Sequence, residues 1–295
     1  MITRGEICAV VVTYHPDDQL HHNIAKLLAN GVQAVLIVDN TPGQNSRPIL
    51  AGLEQYPAVY VHYNGVNLGI AEALNQGADI AAWKGFSWII TFDQDTEVHS
   101  EFLEGLLTAY NDYPAPERAA VIGANYIEQN NGKCGETVKG GAKFAVVKDV
   151  ITAGSLISIE ILNRLGGFKS QYFIDMVDIE YCFRARQAGY EILITTTTLM
   201  THSIGSLEPK SLLGFKFFVT NHSPLRRYYI FRNTIAMVKT YFWFDPVWSL
   251  SMLFDYLPKV LVKACIFEKK RTANFRWIVK GAVDGLLSRF SRQVL

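Results

Sequence analysis

Two carboxylates one residue apart close an apolar run at Phe92-Asp93-Gln94-Asp95. Just past a buried strand, such a pair can share a hard divalent cation with a substrate diphosphate, because magnesium and manganese prefer oxygen ligands. The spacing alone equally suits loop-capping aspartates, so the rest of the chain has to decide. Asp39-Asn40 ends another apolar run, where a carboxylate can accept the imide N–H of a uracil or thymine. A further acidic group follows at Asp175, Asp178 and Glu180, which cannot all face one way. If Asp178 starts a helix, its side chain either caps that helix or points into a cleft as a general base, whereas Glu180 reads as structural. His202, beyond a strand and near two acidic motifs, is a candidate third metal ligand rather than an ordinary polar residue. In the run from Ser223 to Asn233, Arg226, Tyr229 and Arg232 lie at helical spacing. Arginine grips phosphate oxygens in a forked geometry and a helix N-terminus adds donors; the alternative is a basic amphipathic helix facing water.

These residues need a scaffold, and the apolar pattern supplies one. Near-continuous apolar runs at 7–14, 34–38, 59–63 and 88–92 read as buried parallel strands. Helical patterns at 16–30, 48–55 and 70–83 separate them, and Ser100 is a candidate N-cap for a helix ending near 113. The small residues from Asn67-Leu68-Gly69 through Gly77 mark a helix entrance, or simply close helix–sheet packing. Strands alternating with helices predict an open, doubly wound, mainly parallel α/β sheet. Ligands bind such sheets outside the carboxyl ends of the strands, which selects Thr13, Tyr14, Asp39, Asn40, Asn64, Asn67, Asp93 and Asp95. Residues 119–201 mix short strands with turns, and helices follow at 224–241, 246–267 and 273–290, two of them opened by Ser223-Pro224 and Asp245-Pro246.

Composition narrows the class. A chain of 295 residues with 49% apolar residues can bury a full core. Four scattered cysteines without a CxxC pair suit a reducing compartment and argue against thiolate metal chemistry, and the N-terminus has no signal-peptide core. From Arg226 onward there are 13 Lys/Arg against 4 Asp/Glu, so a basic tail follows an acidic body. Because that tail is rich in Trp, Phe, Leu and Ile, anionic lipid is the expected partner and nucleic acid is not. No GxGxxG follows the first strand, which disfavours a dinucleotide-dependent dehydrogenase; the missing Lys/Arg-containing glycine loop disfavours a nucleotidyltransferase.

Read in order, Val11-Val12-Thr13-Tyr14, Val38-Asp39-Asn40, Asn67-Leu68-Gly69, Asp93-Gln94-Asp95, Thr152-Ala153-Gly154-Ser155, Asp175-x-x-Asp178-x-Glu180, His202-x-x-Gly205-Ser206 and Arg226-x-Tyr228-Tyr229-x-x-Arg232-Asn233 form one set. Over residues 6–233 the set resembles the family 2 inverting glycosyltransferases of the GT-A fold, and most of all their bacterial rhamnosyltransferase branch. The resemblance implies a Rossmann-like GT-A catalytic domain over 1–222, and a helical region over 223–295 that closes the donor site and associates with membrane. It implies transfer of L-rhamnose from dTDP-β-L-rhamnose to a glycan or lipid-linked saccharide in bacterial surface polysaccharide synthesis, with Mg2+ or Mn2+. Asp39 would read the pyrimidine, with Thr13 and Tyr14 lining the nucleotide pocket beside Asn67 and Gly69. Asp93 would lie near ribose and metal, Asp95 and His202 would bind the metal, and Arg226, Tyr229 and Arg232 would hold the diphosphate. Gly154 and Ser155 would sit near the acceptor. Asp178 would deprotonate the acceptor; the glutamate of the family's Glu-Asp pair is replaced by Val177, so Asp175 shares the candidacy.

Other donors, UDP-galactofuranose or a UDP-hexose, remain within the same resemblance. A non-catalytic glycan- or lipid-binding homologue is disfavoured by the retained Asp95, Asp178 and His202. In the tail, Asp255, Pro258, Lys259 and Lys263 interrupt the most apolar segment, so it does not span a bilayer but suits helices lying in the interface plane. The expected location is the cytoplasmic face of the plasma membrane; packing on the catalytic domain or in a homo-oligomer is the alternative use of the tail.

Overall fold

The computed structural model describes residues 2–128, 134–135, 142–202, 208–212 and 215–290. The first half alternates as read: β1 (Ile7–Thr13), α1 (Gln19–Ala29), β2 (Val35–Asp39), α2 (Arg47–Leu53), β3 (Val59–Tyr63), α3 (Ile70–Trp83) and β4 (Trp88–Asp93). A short β5 (Glu97–Val98), α4 (Phe102–Asp112), β6 (Ala119–Glu128), β7 (Phe144–Val147), β8 (Ser155–Ser158), α5 (Ile159–Arg164), α6 (Val177–Gln187) and β9 (Glu191–His202) follow. The hairpin β10 (Glu208–Leu212) and β11 (Phe215–Val219) leads to α7 (Pro224–Tyr241), α8 (Pro246–Ser251), α9 (Leu257–Val262) and α10 (Arg271–Leu286), with π turns at Met252–Tyr256 and Lys263–Phe267.

The described chain divides into two units, Met1–Ser170 with Asp178–Ser203, and Gln171–Val177 with Ile204–Leu295. In the first, the sheet runs β3-β2-β1-β4-β8-β6-β9-β5, with β7 on β9. Strands β3, β2, β1 and β4 are parallel; β2, β1 and β4 are buried on both faces as the apolar runs require, whereas the edge strand β3 buries only Val59. The sheet is not parallel throughout. β8 enters antiparallel between β4 and β6, and β5 and β7 pair antiparallel with β9. A helical crossover such as α4 keeps β6 in the direction of β4. The wedging of a later strand between them leaves no mark in local periodicity. Ser100 does not cap α4. Glu101 sits before the helix in the left-handed region (φ 69°), and the Phe102 N–H finds Asn30 Oδ1 at 3.0 Å.

α3 packs on the sheet through Ala71, Ala73, Gly77, Ala78 and Ala81, all buried; a Cβ on Gly77 would run into Val10. The packing reading of that small-residue run therefore holds, and it fixes the loop before α3. Gly69 takes φ 86°, its N–H donates to Asn67 Oδ1 (3.0 Å), and its carbonyl accepts from Asn40 Nδ2 (3.0 Å).

In the second unit α7 is the centre. Ile230 and Phe231 share a core with Leu257, Ala264 and Ile278. Gly281 and Gly285 let α10 approach the α7 backbone, with a Cβ on Gly285 falling 2.6 Å from the Arg232 carbonyl oxygen. Ser223 and Asp245 cap their helices as expected, accepting from Arg226 N (3.2 Å) and Trp248 N (3.1 Å).

Candidate active site

The carboxyl end of β4 and the end of β9 bring Asp93, Asp95 and His202 together, their ligand atoms within 4.8 Å of one another. Gln94 ties this turn to the neighbouring strand end: its Oε1 accepts from Tyr14 N (2.8 Å) and its carbonyl from Asn23 Nδ2 (2.9 Å). Two carboxylates and an imidazole make a donor set suited to a divalent cation. The buried His202 Nδ1 has no hydrogen-bond partner among the described residues, and a coordinated ion or substrate oxygen would remove that deficit. A magnesium or manganese ion fits these residues.

One strand over, Asp39 is buried among hydroxyls. Its Oδ1 accepts from Thr13 Oγ1 (2.8 Å), Thr41 Oγ1 (2.7 Å) and Thr41 N (3.3 Å), while Oδ2 accepts from Ser46 Oγ at 2.6 Å. Oδ2 thus has acceptor capacity left, which suits it for an imide N–H. Thr41 and Ser46 escaped the sequence reading. Only their hydroxyls a few residues past a strand-end aspartate hinted at a carboxylate cradle. Tyr14 is exposed beside this strand end.

Asp178 occupies the first turn of α6 and is half-buried. Its Oδ2 accepts from Thr152 N (3.1 Å) and Oγ1 (3.4 Å), and Oδ1 accepts from Ile179 N (2.9 Å). Burial pushes its carboxyl above the usual range, against these hydrogen bonds, which pull it down. It lines a small cavity with Thr91, Thr152, Ser155 and Tyr181. Glu180, two residues on, is fully buried between Lys169 (2.7 Å) and Arg184 (2.8 Å). Burial raises its pKa, but the two cations outweigh it and hold the group below the usual range. Glu180 is structural, as read.

Gly154 and Ser155, expected beside the acceptor, are both buried. Gly154 adopts φ 71°, donates to Thr91 O (2.8 Å), and has Met200 against the place where a Cβ would stand; the Ser155 hydroxyl donates to Ile151 O (2.6 Å). They shape the Thr152 turn and offer no open surface.

In the second unit the segment before α6 is strained. Phe173, Asp175 and Met176 all have φ near +64°, a region that costs non-glycine residues about 1–3 kcal/mol each. Asn233 holds it, donating from Nδ2 to the carbonyls of Tyr172 (2.9 Å), Ile174 (2.8 Å) and Asp175 (2.8 Å). Arg232, expected to hold diphosphate, is fully buried instead. Its Nη2 reaches Gln171 O (2.7 Å) and Tyr172 O (3.1 Å), and Nε reaches Asn233 Oδ1 (2.9 Å). Tyr229 is also buried and stacks on Phe173 at 4.9 Å. Arg232 and Asn233 thus serve the loop carbonyls, as backbone oxygens withdrawn from water require. Of the three, Arg226 alone keeps a partly exposed guanidinium, 3.2 Å from Asp175 Oδ1.

Comparison with known proteins identifies the family. Residues 8–166 match the family described as Glycosyl transferase family 2. Over 248 residues the chain is 30% identical to the dTDP-rhamnosyl transferase RfbF of Shigella flexneri, covering 80% of each chain. Among solved structures it resembles that of GalNAc-T7 with UDP, GalNAc and Mn2+, with TM-score 0.59 and 15% identity. That alignment takes in 96% of this chain and spans 57% of the other's length, a likeness of fold. With a family match over more than half its length and a relative 30% identical across four-fifths of both chains, this chain belongs to glycosyl transferase family 2 and is a glycosyltransferase related to the rhamnosyltransferases.

Proposed function

We propose that the chain is an inverting, metal-dependent rhamnosyltransferase that moves L-rhamnose from dTDP-β-L-rhamnose onto a glycan or lipid-linked saccharide in bacterial surface polysaccharide synthesis. The observation that carries the donor is the 30% identity to a dTDP-rhamnosyl transferase across four-fifths of both chains. The convergence of Asp93, Asp95 and His202 supports the metal dependence.

In this reading the Asp39 Oδ2 accepts the N–H of the thymine, and the hydroxyls of Thr13, Thr41 and Ser46 hold its carboxylate in place. Asp93, Asp95 and His202 hold magnesium or manganese, which when bound offsets the charge of the departing nucleoside diphosphate. Arg226 is the arginine we assign to the diphosphate. Asp178 takes the proton of the acceptor hydroxyl, and that oxygen attacks the anomeric carbon as its bond to the diphosphate breaks on the opposite face. Thr152 and Ile179 fix the carboxylate so that its second oxygen lone pairs stay directed. A single displacement of this kind converts a β-linked donor into an α-linked product. Asp175, paired with Arg226, is the secondary candidate for proton transfer. The enzyme works at the cytoplasmic face of the membrane, where a lipid-linked acceptor lies. Among the described residues no helix is long and apolar enough to cross a membrane.

The test is incubation of dTDP-β-L-rhamnose, UDP-galactofuranose and UDP-glucose in turn with cell-envelope saccharide acceptors, followed by NMR of the product. An α-rhamnoside from the first donor alone is expected. A β-rhamnoside contradicts the inverting mechanism, and transfer from a UDP-sugar alone contradicts the donor.

A further inference from the structure

The segment from Pro246 to Phe267 is one long helical stretch interrupted by two π turns. Along it, Val247, Leu250, Phe254, Val262 and Ile266 are exposed, Phe254 by 76% and Val247 by 73%. They recur at steps of three or four residues, with Pro258 continuing the row. In an uninterrupted α-helix a four-residue step overshoots a full turn by about 40°, so four steps from Leu250 to Ile266 would carry the stripe roughly 160° around the helix. Each π turn takes one more residue into a turn and winds the stripe back. The two turns cancel most of the drift, which is why Ser249, Leu257 and Ala264 stay buried on the inner side while the apolar row stays outside. The result is a straight, exposed apolar ridge about 24 Å long. Trp243, 91% exposed, stands at its N-terminal end. α10, which shares the inner core, carries a second exposed row at Phe275, Val279, Val283 and Leu286.

The charges beside the ridge are basic. Lys269, Lys270 and Arg271 form an exposed turn between the two helices, with Arg276 and Lys280 exposed on α10. Of the nearby acidic groups, Asp255 is paired with Lys259 at 2.5 Å and Glu268 is buried with Arg227. A second copy of the chain would set the same uncompensated cations against this ridge. An anionic lipid surface supplies the opposite charge at the rim and an apolar layer for the ridge. We infer that the π turns of the 246–267 helix straighten its exposed apolar row into a ridge that lies flat in the interface of a bilayer containing anionic lipid. The inference rests on the lipid-linked acceptor proposed above for its purpose; the binding itself is independent of the sugar chemistry.

The test uses the full chain and sedimentation with vesicles of phosphatidylglycerol and phosphatidylethanolamine, against vesicles of phosphatidylcholine alone. Binding to the anionic vesicles that falls with salt is expected. Phe254→Ser with Ile266→Ser should weaken it about tenfold or more, given the apolar area removed, and Lys269→Gln with Lys270→Gln should weaken it several-fold. Equal binding to both vesicle types, or unchanged binding in the Phe254→Ser/Ile266→Ser protein, overturns the inference. So does a lipid-free dimer in sedimentation equilibrium that this same variant dissociates, which would give the ridge to a second copy. Calorimetric donor binding, measured on the same samples, should not change between wild type and ridge variants. Its absence in wild type would count against the sugar-transfer reading while leaving the vesicle result intact.

Discussion

Asp178 and Glu180 stand two residues apart on the first turn of α6 and meet opposite fates. Burial without a cation beside it raises the Asp178 carboxyl, whereas Lys169 and Arg184 overcome burial at Glu180. A base must be deprotonated to act, so kcat/KM should rise with pH through an acid limb lying above the ordinary carboxylate value of about 4. Asp178→Asn should lower kcat by roughly 100- to 10,000-fold and leave donor affinity nearly unchanged; near-normal turnover, or an acid limb that survives in the variant, would remove Asp178 from that role. Glu180→Ala leaves two cations facing a buried vacancy and should destabilise the first unit by about 3–5 kcal/mol in urea unfolding. A loss below about 1 kcal/mol would mean that the pair is solvated in solution. The types and order of Asp39, Asp93, Asp95, Asp178 and His202 were legible in the sequence. Their supports were not, because Thr152 reaches Asp178 from 26 residues away and Ser46 reaches Asp39 through a loop with no periodic signal.

Elements fix where those side chains point. The parallel strands β1, β2 and β4 and helix α3 were legible because their residues are buried on both faces or small on one, and such patterns survive without knowledge of the partner. β8 was not legible as an antiparallel wedge, since its direction is set by neighbours β4 and β6 and not by its own four residues. The surroundings of Arg232 were hidden for a related reason. Its spacing with Arg226 and Tyr229 on α7 fits a phosphate grip, yet in the fold the loop carbonyls of Gln171 and Tyr172 accept from it and those of Tyr172, Ile174 and Asp175 accept from its neighbour Asn233. Asn233→Ala should therefore take one donor from each of the carbonyls of Tyr172, Ile174 and Asp175 and cost about 1–3 kcal/mol in thermal or urea unfolding. Unfolding at the wild-type midpoint would show that the loop holds itself.

At the scale of the whole molecule, an acidic body and a basic tail share one chain, and the family match places the first in glycosyl transferase family 2. The charge division was visible from counting alone. The straightening of an apolar row by π turns was not, because a period of four reads in sequence as a drifting helical stripe. The proposed sugar-nucleotide site is built on Asp93, Asp95 and His202 at the sheet's carboxyl edge. Calorimetric titration of dTDP-β-L-rhamnose into the full chain, with manganese and then with a chelator, tests it most directly, alongside Asp95→Ala and His202→Ala. Binding with manganese, loss on chelation, and at least about tenfold weaker binding in each variant are expected. Binding of equal strength with the chelator present, or in Asp95→Ala with metal, would contradict it.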